Sequence, residues 1–228
     1  MTLQLIAMHG WAGDQRGWAA FATAAAANGW SWRSGERGYG GLPAQMPHWQ
    51  DWGRRVAVVH SLGLHLLPPP LLAQAEAVIV LASFGQFVPD GAAGGRLRTA
   101  LASMTRALEG AGADAMVRAF LIQAADPTPV DPATLGIGDQ PLSDAGRALL
   151  RADLALLGRT SGLPDGFPQQ ARVLLVEAGR DRIVVPEARQ QLRQALPGAD
   201  RLHLADAGHC LIQAELVPML MGRLQGLA

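Results

Sequence analysis

The sequence predicts an α/β fold: a mainly parallel sheet of about six strands, with helices on both faces and a helical insertion. Three observations predict it. Short apolar runs alternate with longer alanine-rich or amphipathic segments, the pattern that parallel strands make when crossover helices join them. The run Val56-Ala57-Val58-Val59 passes straight into His60-Ser61-Leu62-Gly63, which reads as a buried strand entering a tight turn with a serine at its apex. About ninety residues then separate the fourth apolar run from the fifth, where a crossover needs only about a dozen.

Strands are expected over Leu3 to Met8, Trp30 to Arg33, Val56 to Val59, Val78 to Ala82, Val173 to Val176 and Arg201 to Leu204. An alanine-rich helix from Trp18 to Asn28 joins the first two and stops at Asn28-Gly29. Pro68-Pro69-Pro70 must cut short the helix that follows Ser61, because proline removes a donor and clashes with the preceding turn. Helices are also expected over Pro186 to Ala195, opened by a proline where a missing N–H is harmless, and over about Gln213 to Leu224. The long gap between the fourth and fifth strands holds three more, at Leu97 to Leu108, Ala113 to Ala124 and Asp144 to Leu157, interrupted by Gly110-Ala111-Gly112 and the proline-rich stretch from Asp126 to Pro132. Residues 1–88 and 166–228 then form the core and residues 89–165 a helical insertion. An insertion at this point sits over the carboxyl ends of the strands, where open α/β sheets bind ligands, and reads as a lid. The alternative is a set of extra helices packed beside the sheet.

With 228 residues, of which 49% are hydrophobic, the chain can bury one sizeable core. The formal charge is zero and no lysine occurs, which argues against an extended nucleic-acid surface. Cys210 is the single cysteine, so no intramolecular disulfide forms. The N-terminal residues run directly into a strand and no apolar stretch reaches the roughly 20 residues of a membrane span. The expectation is a cytoplasmic protein without membrane attachment. No cysteine pair, histidine doublet, phosphate-cradling loop or calcium loop is present, so no metal and no cofactor is expected.

A serine hydroxyl is a poor nucleophile at neutral pH and needs a histidine to take its proton and a carboxylate to orient that histidine. Ser61 is the candidate nucleophile. Its surroundings match Gly-x-Ser-x-Gly only in part, since Gly63 fills the second glycine position and Val59 stands in the first. A β-branched residue there requires a modified turn or small neighbours. Asp181 follows the strand Val173 to Val176 and precedes the apolar loop Ile183-Val184-Val185, which places it at a strand's carboxyl end. Taken singly it reads better as a turn or capping aspartate, or as a surface partner of the flanking Arg180 and Arg182. His209 follows the last strand in Gly208-His209-Cys210. The chain order serine, aspartate, histidine, each just past a strand, favours a catalytic set. Negative charge developing on a carbonyl oxygen also needs donors. The backbone N–H of Leu62, next to the nucleophile, and that of Trp11, in the loop His9-Gly10-Trp11 after the first strand, are the expected oxyanion hole.

Together these residues resemble the α/β-hydrolase superfamily: His9-Gly10-Trp11, Ser61 with Gly63, Gly179-Arg180-Asp181 ahead of Val184-Val185-Pro186, and Gly208-His209. The antiparallel strands that open many members are missing. Within the superfamily, His9-Gly10-Trp11 with Gly13, Ser61-Leu62-Gly63 and Leu81-Ala82-Ser83-Phe84 are similar to the pimeloyl-acyl carrier protein methyl ester esterases of biotin synthesis, nearer the divergent BioG and BioK branches than BioH. That resemblance implies hydrolysis of a methyl ester at the far end of a pimeloyl chain held on acyl carrier protein. It also implies that lid arginines meet the acidic carrier, with Arg118, Arg147 and Arg151 as candidates, the last two sharing a helix face. Their other role is solvation of an alanine-rich surface. Two further functional readings stay open, a broader short-chain carboxylesterase or thioesterase acting on a small acyl ester, and a catalytically silent binding protein.

Overall fold

In the computed structural model, which describes residues 2–128, 137, 141–212 and 216–226, six parallel strands form one sheet: β1 (Leu3–Met8), β2 (Ser31–Ser34), β3 (Arg54–His60), β4 (Ala77–Leu81), β5 (Arg172–Ala178) and β6 (Asp200–Leu204), in the order β2-β1-β3-β4-β5-β6. The chain adds β2 on one side of β1, then returns to add β3 on the other. At such a reversal the connections leave in opposite directions and open a crevice beyond the carboxyl ends of the strands. Register decides what lies there. Met8 is opposite Val59 and His60 is opposite Leu81, so the loop starting at His9 runs beside the turn at Ser61.

Strands buried on both faces need apolar residues at successive positions, and the burial alternates between two cores. Ile6, Met8, Ala57, Val59, Val78 and Val80 point to one face. That face is covered by α2 (Gly63–Leu66), α3 (Pro69–Leu72), α7 (Pro186–Ala195) and side chains of the insertion helices α4 (Gly91–Glu109), α5 (Ala113–Ala125) and α6 (Asp144–Arg159). Leu3, Leu5, Ala7, Val56, Val58 and Ile79 point to the other face, under α1 (Ala19–Ala27) and α8 (Val217–Gln225). There Trp18, Phe21 and Trp32 form an aromatic cluster with ring centroids 5.4 to 5.9 Å apart. Trp49 and Tyr39 pack against the first core: the Trp49 indole donates to the Leu71 carbonyl, and Tyr39 is fully buried.

Most element boundaries agree with the sequence within a residue or two, and the departures have local causes. The helix expected from Trp18 begins as a 3₁₀ turn at Gln15–Trp18, because Asp14 caps it by accepting from Arg16 N–H at 2.8 Å. Helix α4 starts at Gly91, six residues earlier than Leu97, since the pair Gly94-Gly95 hid a helical segment that tertiary packing supports. The triple proline does split the nucleophile helix, leaving α2 and α3 as one-turn pieces. Residues 213–215, in the helix expected from Gln213, and most of the expected proline-rich stretch to Pro132 lie outside the described residues. Among the described residues no helix is long and apolar enough to cross a membrane.

Phe21 is 1% exposed at the centre of the aromatic cluster. Phe21→Ala is expected to lower the urea-unfolding free energy by about 3–5 kcal/mol, the range for an emptied aromatic core site.

Candidate active site

The turn after β3 holds Ser61 at φ +53°, in the left-handed region that side chains other than glycine seldom occupy. Three contacts keep it there. Ser61 N–H donates to the Leu81 carbonyl (2.9 Å), and the Ser83 hydroxyl donates to the Ser61 carbonyl (2.6 Å). Gly63 lets α2 begin directly against the end of β1, since a Cβ there would collide with the carbonyl oxygens of Met8 and His9. Val59 is buried in the core cluster with Met8, Leu62 and Val80 without disturbing the turn. Gly10 lies close against the turn, where an added Cβ would be 2.8 Å from Cβ of Ser61.

The structure brings the three side chains expected from the sequence into one chain of hydrogen bonds. The Ser61 hydroxyl lies 3.0 Å from Nε2 of His209, and Nδ1 of His209 lies 2.9 Å from Oδ2 of Asp181. The other carboxylate oxygen accepts from Ile183 N–H (2.8 Å) and Val184 N–H (2.9 Å). Asp181 is therefore both the turn aspartate and the partner of the histidine. Burial opposes its ionisation, but the charge and hydrogen bond of His209, with the two backbone N–H groups, outweigh burial and hold the carboxyl below its ordinary value. An ionised carboxylate on one nitrogen and a hydroxyl on the other leave the imidazole ready to accept a proton at Nε2.

Gly10 and Trp11 lie beside Ser61 in the wall of a mostly apolar cavity of about 120 Å³, completed by Phe120, Leu121 and Ile212. Among the described residues no hydrogen-bond acceptor meets the backbone N–H of Trp11 or Leu62. The Trp11 indole donates to the Leu150 carbonyl of α6 (2.9 Å) and meets Phe120 of α5 edge to face at 4.8 Å, so this loop is fastened to the insertion. Behind it, Asp153 of α6 accepts from Tyr39 OH (2.6 Å) and from Arg37 (2.7 and 2.8 Å), tying the segment after β2 to the same insertion.

The arginines on the insertion do not act alike. Arg118 is exposed on α5, while Arg147 donates to the Gly110 carbonyl (3.3 Å) and Arg151 pairs with Glu109 (3.0 Å), bracing the end of α4. Sequence reasoning passed over His60, Phe120 and Cys210 as cavity residues. Only the position of His60 beside Ser61 gave a signal; the other two are ordinary helix and loop residues until the fold assembles them. Among the described residues no group of three histidine, cysteine, aspartate or glutamate side chains is placed to hold a metal ion.

Neither a protein-family model nor a curated protein matches the sequence. Solved structures do match. The enol-lactonase from Burkholderia xenovorans LB400 has a TM-score of 0.73 at 16% identity, covering 100% of this chain and 92% of that one. A hydrolase from Oleispira antarctica has a TM-score of 0.72 at 12% identity, with 98% and 91% covered. MenH from S. aureus has a TM-score of 0.66 at 14% identity, with 98% and 94% covered. Identities this low establish architecture: the chain has the α/β-hydrolase fold.

His60 gives a pH prediction. Burial, then the neighbouring His209, pushes it from 6.5 down to about 3. Between these values the unfolded chain takes up a proton that the folded one refuses, so this contribution is harmless above the upper value and destabilises progressively on acidification. Unfolding free energy is expected to fall with a His60 contribution of about 1.4 kcal/mol per pH unit through that window. Urea titrations of His60→Gln across the same range should lack this component.

Proposed function

We propose that this chain is a serine carboxylic ester hydrolase. The observation that carries the reading is the unbroken line of hydrogen bonds from Ser61 through His209 to Asp181, with Ser61 and His209 in the wall of an apolar cavity. In the proposed reaction Ser61 Oγ attacks the ester carbonyl carbon while its proton passes to His209 Nε2. Asp181 stabilises the resulting imidazolium, and the N–H groups of Trp11 and Leu62 receive the negative charge on the carbonyl oxygen. His209 then gives its proton to the departing alkoxide, and the alcohol leaves an acyl group on Ser61. Water, deprotonated by His209, attacks that acyl carbon. The carboxylic acid departs, and the proton returns to Ser61.

For the substrate, we infer the methyl ester of pimeloyl-acyl carrier protein, in the setting of the cytoplasm. The support for this finer reading is the sequence resemblance carried by His9-Gly10-Trp11 with Gly13, Ser61-Leu62-Gly63 and Leu81-Ala82-Ser83-Phe84. The apolar cavity suits the ester end and its nearest methylenes, with the carrier outside. Helix α5 supplies Phe120 and Leu121 to the cavity wall and would act as the lid, with Arg118 its exposed cation toward an acidic carrier. The broader short-chain esterase or thioesterase is the second reading, favoured by the small volume of the cavity.

Ser61→Ala is expected to abolish aryl-ester hydrolysis and fluorophosphonate labelling, and Asp181→Asn to lower kcat by about 10⁴-fold, as for an imidazole held in the wrong tautomer. Unlabelled wild type that is folded would instead favour the silent binding protein. For the substrate, kcat/KM on methyl pimeloyl-carrier protein is expected to exceed that on short aryl esters and thioesters. The reverse order would replace the finer reading with the broader one, and rescue of a strain lacking its pimeloyl methyl esterase by wild type but not by Ser61→Ala gives the same comparison in cells.

A further inference from the structure

The reaction above leaves His9, Asp14, His60 and Cys210 in the cavity wall without a role, and of these His60 bonds directly to the backbone of His209. His60 is 8% exposed and lines the same cavity as Ser61 and His209. Its Nε2 lies 2.9 Å from the backbone carbonyl oxygen of His209, and the two ring centroids are 5.0 Å apart. A carbonyl oxygen only accepts, so Nε2 carries the proton and donates it, leaving Nδ1 bare. The bare edge packs on the oxyanion loop: a Cβ added at Gly10 would lie 3.3 Å from it. One imidazole therefore bridges the nucleophile strand, the histidine loop and the oxyanion loop. Burial keeps it uncharged across the working range, so it adds no repulsion when His209 becomes cationic.

The histidine loop needs such a hold. After β6 the backbone is held near His209 by Cys210 N–H donating to the Ala124 carbonyl (2.9 Å) and by Leu211 N–H donating to the His209 carbonyl (2.9 Å). The first ties the loop to α5 and the second is internal to the loop. Among the described residues, the bond from His60 is the hydrogen bond that ties the backbone of this loop to the strand leading into Ser61.

We propose that His60 is a positioning residue, whose Nε2–H grips the His209 carbonyl and thereby sets the separation between the His209 ring and the Ser61 hydroxyl. The proposal rests on the reading of Ser61 and His209 as the reacting pair. Three proteins test it: wild type, His60→Gln, whose amide N–H takes over the donation, and His60→Phe, which keeps the ring volume without the donor. Each is measured for kcat and KM on an aryl ester, for its rate of fluorophosphonate labelling, and for fold by circular dichroism. His60→Phe is expected to lose about 10- to 100-fold in kcat and in labelling rate with KM within about 2-fold, and His60→Gln to return to within about 3-fold of wild type, as for a misplaced but intact catalytic group. If His60→Phe does not fold, His60→Asn, whose amide falls short of the carbonyl, takes its place. A donor-free variant as fast as wild type, or a glutamine variant as slow as the donor-free one, overturns the positioning role alone. Folded wild type that takes up no fluorophosphonate at Ser61 overturns the esterase reading and this proposal with it.

Discussion

Ser61 and His209 lie 148 residues apart in the chain and 3.0 Å apart in space. That hydrogen bond is the constraint on which the proposed reaction depends, because a misplacement of about 1 Å at a reacting pair costs on the order of 10²-fold in rate. Parallel strands meet the requirement in one way. They all end at the same edge, so the turn after β3, the loop after β5 and the loop after β6 are presented side by side whatever the lengths of the connections between them. Register then brings the loop after β1 alongside Ser61, where glycine at position 10 allows contact that any side chain would prevent.

The edge is held by polar groups buried where they could not be tolerated unpaired. Asp181 satisfies one oxygen with two backbone N–H groups and offers the other to His209, so its charge is stabilised and its direction fixed by the same bonds. Ser83 and Leu81 hold the strained serine by its own backbone. Strain of this kind, of order 1–3 kcal/mol at a single residue, persists only where surrounding contacts over-determine it.

The insertion is joined to this edge at several points. Trp11 reaches Leu150 and Phe120, and Cys210 donates to Ala124. Arg182, beside Asp181, pairs with Asp126 at the end of α5 (2.9 Å). Helix α5 thus touches the loops that carry Trp11, His209 and Asp181. A displacement of α5 would act on all three at once. The same coupling gives the apolar cavity its wall, so the shape offered to an acyl group and the alignment of the side chains that would act on it are set by the same packing.

Much of this was legible in the residues. Alternating apolar and amphipathic segments specified the six strands and their crossover helices, because strand burial and helix amphipathicity are local periodicities. Ser61, Asp181 and His209 were legible because each follows an apolar run and their chain order matches one topology of the sheet. Other features had no local signature. Gly94-Gly95 reads as a helix breaker and is helical, and Phe120 and Cys210 read as helix and loop residues and line the cavity. Arg147 and Arg151 share a helix face in the sequence, and only the fold shows that they also brace the end of α4. The amino-acid sequence by itself determined which segments become strands and which side chains stand at their carboxyl ends, since backbone propensity and burial pattern act over a few residues. Tertiary structure alone decided the distances between those side chains, the bond from His60 at the end of its strand to the loop of His209, and the engagement of Arg147 and Arg151, since such contacts depend on how the strands register and the helices pack.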